Sequence, residues 1–294
     1  MFIVHRRKIF YIFSGTLVTA SIIALFLWGL NFGIDFKGGS LIEIQFKKDR
    51  SANSEIQNIL NTFNLGETTI QPTAEKDMIL RMKDIDENTH QSILAEIKKK
   101  FDIEELSFES VGPLIGRELK RKAIYSIILA EIFMIIYLAW AFRKTSFVVK
   151  SYKYGILAAV SLLHDILIVT GVFAVLGHFY NVEVGLSFIA ALLTVLGYSV
   201  NDTIVVYDRI RENLLHLKER ESFDELVDRS IKQTLARSIN TSFTTLLALF
   251  AVLIFGGATI HYFIIALIIG IASGTYSSFL ASLLLVDWER GGKG

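Results

Sequence analysis

The chain has 294 residues, a net charge of +1, 52% hydrophobic residues, a mean hydropathy of +0.48 and only two prolines. It is too apolar for a soluble globule of ordinary make-up, and this composition predicts an integral membrane protein. The near-neutral balance carries no nucleic-acid signal, and the absence of cysteine excludes disulfides, thiolate chemistry and cysteine-ligated metal.

Six stretches reach the roughly 20 residues that a helix needs to cross about 30 Å of hydrocarbon. They run from Ile9 to Leu30, Ala123 to Phe142, Tyr154 to Leu176, Val184 to Tyr207, Ile239 to Phe255 and Tyr262 to Val286. The first has too long an apolar run for a cleaved signal, and five more follow. Arg6, Arg7 and Lys8 precede the first span; Arg143, Lys144, Lys150 and Lys153 separate the second from the third; another basic cluster follows the fourth. The turns at 177–183 and 256–261 contain neither Lys nor Arg. The positive-inside rule therefore puts both termini in the cytoplasm and residues 35–122 on the far side.

The domain plan is an N-terminal segment with span one (1–34), an external domain (35–122) and a five-helix membrane region (123–294). In the external block, SLIEIQF, ETTIQ, DMILRMK and EELSFESV read as strands, while SEIQNILNTF and HQSILAEIKKKF read as helices. The order βαββαβ predicts an α+β ferredoxin-like domain inserted in an α-helical polytopic membrane protein. Between spans four and five, Phe223, Leu226, Val227, Ile231 and Leu235 recur at helical spacing, and Ser222 with Glu225 makes a capping box. These residues predict a cytoplasmic amphipathic helix within 208–237, along the membrane surface or against the spans.

Charge inside the spans is the rarest feature. Asp202 and its neighbour Asn201 lie about 7.5 Å from the inner end of span four, and Tyr198 and Ser199 lie one turn earlier on the same face. Glu131 in span two and the pair His164 and Asp165 in span three are about 16 Å deep. A carboxylate at bilayer depth costs a few kcal/mol (about 2.5 to 3.5 on insertion scales), so Asp202 is the leading functional candidate. His164 and Glu131 are as readily packing residues. Arg237, just before span five, is either an interfacial anchor or a partner for Asp202. Gly270 and Gly274, with Ser273 and Ser277 nearby, have the small-residue spacing of close helix contact, without naming the partner helix.

Nucleotide and hydrolase motifs are absent: no G-x-x-x-x-G-K-[ST], H-E-x-x-H or G-x-S-x-G occurs. Gly33, Gly38 and Gly39 of GIDFKGGS lack the helix-opening context of a phosphate loop. The chain is therefore expected to be no enzyme and to hold no cofactor or metal, with an ion gradient as its natural energy source.

GIDFKGGS, SVGPLIGRELKRKAI, LLHDIL, LGYSVNDTIVVYDRIREN, FGG and IGIASGTYSS, in that order, resemble the SecD/SecF family of bacterial protein-export subunits, and Gly197 to Asn213 is the most specific match. That family is itself similar to the resistance-nodulation-division transporters. The resemblance implies a SecF-type subunit of the inner membrane, pairing with SecD and usually YajC beside the SecYEG channel. It also implies the use of proton flow to help unfolded polypeptide through late translocation. It assigns proton handling to Asp202 and its cooperating cation to Arg237, with Asp165 in the same machinery. Asp202 would attract Arg237 when ionised and release it when protonated. Each proton crossing 100 mV supplies about 2.3 kcal/mol, a shift of roughly 40-fold in a two-state equilibrium. The alternatives are a proton-coupled exporter of small molecules or lipids, and a passive assembly scaffold.

Overall fold

A computed structural model describes residues 3–48, 50–72, 76–143, 149–216 and 221–291, so Lys144 lies outside the described residues. The chain divides into two compact units, Phe32–Ile124 and the remainder, Met1–Asn31 with Tyr125–Gly294.

Chain order explains the elements. After a 3-10 turn at Val4–Arg6, helix α1 (Arg7–Trp28) forms the first span, and α2 (Ile34–Lys37) is a single turn. Then come β1 (Gly39–Phe46), α3 (Asn53–Asn61), β2 (Thr69–Pro72), β3 (Asp77–Met82), α4 (Glu87–Lys100) and β4 (Ile103–Val111). The sheet order is β2-β3-β1-β4 with every pair antiparallel, the ferredoxin-like arrangement. Ile42, Ile44 and Phe46 alternate onto the inner face of β1 and pack with Met78, Leu80, Ile56, Leu60, Ile93 and Ile97 in one core. Gly38 and Gly39 enter β1 at φ of +80° and +135°. A Cβ on Gly38 would lie 2.7 Å from the Pro113 backbone, and one on Gly39 would lie 2.8 Å from the Met82 carbonyl oxygen. The paired glycines are thus required both by backbone conformation and by space.

Five long helices complete the chain: α5 (Pro113–Ala141), α6 (Ser151–Tyr180), α7 (Leu186–Leu215), α8 (Phe223–Phe255) and α9 (Ala258–Gly291). With α1 they make six helices long and apolar enough to cross a membrane. The most apolar stretches of α6 and α9 are 61% and 56% buried, against 6% for α5 and 11% for α8, so α6, α7 and α9 form the centre.

The separate amphipathic helix expected within 208–237 is not observed. Residues 208–215 continue α7, and Phe223 onward is the first part of α8, which runs unbroken into span five. No proline or glycine lies between Phe223 and Phe255 to stop it, and the Ser222–Glu225 capping box fixes its start. Leu226, Val227 and Ile231 are fully buried against Val206, Tyr207, Ile210 and Leu214 of α7 and residues of α9, so this face serves the bundle core.

Candidate functional site

Two of the buried aspartates of the membrane unit, Asp165 and Asp202, lie within apolar spans on adjacent helices. Asp165, on α6, is completely buried. Its Oδ2 accepts the hydroxyls of Ser199 at 2.6 Å and Ser277 at 2.7 Å, and its Oδ1 accepts Ser273 at 2.7 Å. His164 Nδ1 lies 3.0 Å from the same Oδ1. Three helices, α6, α7 and α9, therefore meet at one carboxyl group. Close approach makes this meeting feasible: a Cβ on Gly274 would stand 2.8 Å from Ser199 Cβ, and one on Gly270 would stand 2.2 Å from Val195. The partner of the small-residue stretch on span six is thus α7. Ser273 and Ser277, noted in the sequence only for their size, are the α9 donors to Asp165. Their spacing of four from each other, matching that of Gly270 and Gly274, was the available signal.

Asp202, on α7 one turn beyond Ser199, is 3% exposed and more loosely held. Ser242 Oγ on α8 donates to its Oδ2 at 3.4 Å, a long contact, and Ser242 also lies 2.6 Å from Thr275 Oγ1 on α9. The Tyr198 hydroxyl donates to Ser242 at 3.3 Å and to Thr245 at 3.4 Å. Tyr198 and Asp202 thus meet at Ser242, Ser199 belongs to the group around Asp165, and Asn201 is exposed. Arg237 sits in the body of α8, exposed, close enough to Asp202 for their charges to interact but in no ion pair with it within 4.0 Å.

Glu131, on α5, has its Oε1 buried with no hydrogen-bond partner and interacts electrostatically with Asp165. His164 likewise keeps a buried, unpartnered Nε2, and its ring centre is 6.2 Å from that of Tyr276. Tyr276 in turn ties span one to α9, accepting from Ser14 at 3.0 Å and donating to the Phe10 carbonyl at 2.8 Å. Among the described residues no cluster of His, Asp or Glu has the geometry of a metal site.

A second charged network, which sequence reading did not single out, closes the end of the bundle where the chain begins. Arg7 pairs with Asp287 at 2.9 Å, Arg290 makes a bidentate contact with Asp224, and Lys153 reaches Glu289 at 2.6 Å. Asp228 Oδ1 accepts the backbone N–H groups of Ile3 at 2.8 Å and Val4 at 3.1 Å. Basic residues read from the sequence as orientation signals, Arg7 and Lys153, are here also ion-pair partners of α9.

Comparison with known proteins agrees with this geometry. The family described as "Protein export membrane protein SecD/SecF, C-terminal" matches residues 89–291, and the "SecD/SecF GG Motif" matches residues 23–49, which include Gly38 and Gly39. Protein translocase subunit SecF of Thermobaculum terrenum is 45% identical, with 98% of this chain and 94% of that protein covered. The SecF of Synechocystis is 37% identical over 95% of this chain and 91% of its own length. A crystal structure of SecDF from Thermus thermophilus, titled a translocon-associated membrane protein, matches 99% of this chain at 30% identity with a TM-score of 0.85. SecDF in a super-membrane-facing form matches at 31% identity and a TM-score of 0.65, with 98% of this chain covered. This chain spans about two-fifths of those longer chains, 39% and 38%. The chain belongs to the SecD/SecF family, as a multi-pass membrane protein of its SecF protein translocase branch.

Proposed function

We propose that this chain is the SecF half of a proton-driven accessory motor of protein export. It pairs in the bacterial inner membrane with a SecD chain, and usually YajC, beside the SecYEG channel. Both termini are cytoplasmic, and the ferredoxin-like domain is periplasmic, where it engages unfolded polypeptide late in translocation. The proton is the coupling ion, and no other cofactor takes part.

The observation that carries this reading is the contrast around Asp202: an aspartate 3% exposed within an apolar span, held only by a long contact from Ser242 and by the Thr275 hydroxyl beside it, with no ion pair among the described residues. A carboxyl group so placed is expensive unless it takes up and releases a proton or meets a partner. Asp202 is the proton carrier and Arg237 the cation whose attachment follows its charge. Asp165 acts in the same machinery through Ser199, with His164, Glu131, Tyr198 and Asn201 as supporting polar groups. A SecD partner finds a suitable surface on α7, where exposed Ser187, Ala190, Thr194, Gly197 and Asn201 make a small and polar stripe at helical spacing.

The test is Asp202→Asn in vesicles that contain the whole complex. Proton-gradient stimulation of export is expected to disappear while the SecD partner still co-purifies. Undiminished stimulation refutes the proposal and favours a scaffold role.

A further inference from the structure

Helix α8 carries Ser230, Thr234, Ser238 and Ser242, one hydroxyl every four residues and all buried, at 0%, 5%, 1% and 3% exposure. They form one stripe about 18 Å long at 1.5 Å per residue. At one end, Ser242 donates to Asp202. At the other, Ser230 accepts Asn213 Nδ2 at 2.8 Å, and Asn213 also donates at 2.9 Å to Gln233, which lines an open surface pocket with Glu225, Asp228, Arg229 and Lys232. These two contacts show that α7 and α8 run antiparallel with Thr234 and Ser238 at intermediate levels. Helix α9 supplies a matching stripe: from Thr275, which meets Ser242, follow the fully buried Ser278 and Ser282 at i+3 and i+7.

Small hydroxyl residues also serve helix packing by bonding back to their own carbonyls, and several here do so. Ser230 donates to the Leu226 carbonyl, Thr234 to that of Ser230, Ser278 to that of Thr275 and Ser282 to that of Ser278. Ser238 is the exception. Its hydroxyl is buried and has no hydrogen-bond partner, although the Thr234 carbonyl is one turn away. A buried hydroxyl left unpaired in hydrocarbon is costly, and the group that relieves it in a polar seam is water.

We infer that the seam where α8 packs against α7 and α9, from the Gln233 pocket past Thr234 and Ser238 to Ser242, is the water-filled cytoplasmic half of the proton route to Asp202. The inference rests on the proton-carrier reading of that residue. The proton leaves the Asp202 carboxyl group for seam water, the carboxylate remains, and the charge moves along water held by the hydroxyl oxygens to the surface pocket.

Because the chain has no cysteine, single cysteines report access without background from the chain itself. In vesicles with the cytoplasmic face outward and the whole complex present, Ser238→Cys and Thr234→Cys are expected to react with a small charged methanethiosulfonate. Leu247→Cys on the exposed apolar face of α8 is the control, and the seam positions should react about tenfold faster. Ser238→Val is expected to lower proton-driven export stimulation about tenfold, while Ser238→Thr, of equal volume with a hydroxyl, retains most of it. The route is overturned if the seam cysteines react no faster than the control, or if the Val and Thr variants lose activity equally. If Asp202→Asn abolishes stimulation while the seam stays inert, only the route fails; if Asp202→Asn retains stimulation, the proton-carrier reading fails and the route with it.

Discussion

Asp165 and Asp202 sit on neighbouring helices, yet their surroundings differ in kind. Asp165 accepts three hydroxyls between 2.6 and 2.7 Å from two other helices, whereas Asp202 accepts Ser242 at a long 3.4 Å with the Thr275 hydroxyl beside it. A group held by several short bonds resists movement, and a loosely held one is free to change partners. Replacement of Asp165 by Ala removes the shared acceptor of three serine hydroxyls, of which those of Ser199 and Ser277 are on buried residues, together with the contact of a histidine ring. It should destabilise the bundle by about 3 kcal/mol, the scale of a broken buried polar network, read as an earlier thermal unfolding in detergent. Unchanged stability would return Asp165 to a purely proton-handling role. The buried carboxylates could be found from sequence because any acid within an apolar run stands out. Which of them is tethered depends on the rotation of α9, and no local pattern encodes that.

Helix ends show the same division. Asp86 caps α4, and the Thr89 hydroxyl and amide hold its carboxyl group below the ordinary carboxylate range. Hydrogen bonds from Gln91 and then His90 do the same for Glu87. A depressed folded-state value means that this contribution to α4 is present above the unfolded values, about 3.9 for Asp and 4.3 for Glu, and is lost as pH falls through the folded ones. Amide chemical shifts at residues 87–90, followed from pH 6 downward, should stay constant until the acidic limb and then move together. An onset near neutral pH would assign the change to another group. The Ser222–Glu225 capping box was legible in the same local way, and it correctly marks where α8 begins. Its continuation into span five was not anticipated, because charged and apolar stretches look like different elements until one uninterrupted helix carries both.

At the scale of the molecule, the ferredoxin-like unit has a core of its own, from Ile42 and Leu80 to Ile93 and Ile97. A fragment of residues 32–124 should therefore fold alone and unfold cooperatively, with a stability within the usual 5–15 kcal/mol, measured by denaturant titration. A broad, non-cooperative transition would show that its core needs the membrane region. The amino-acid sequence by itself determined the six spans, the βαββαβ order and the presence of an isolated aspartate in span four. Each follows from short-range periodicity, run length and the cost of charge in hydrocarbon. Only the tertiary structure decided that Gly270 and Gly274 admit α7, that Ser199, Ser273 and Ser277 converge on Asp165, and that Ser238 is buried without a partner. Those outcomes depend on how helices far apart in the chain cross and rotate against one another, which the spacing along any single helix leaves open.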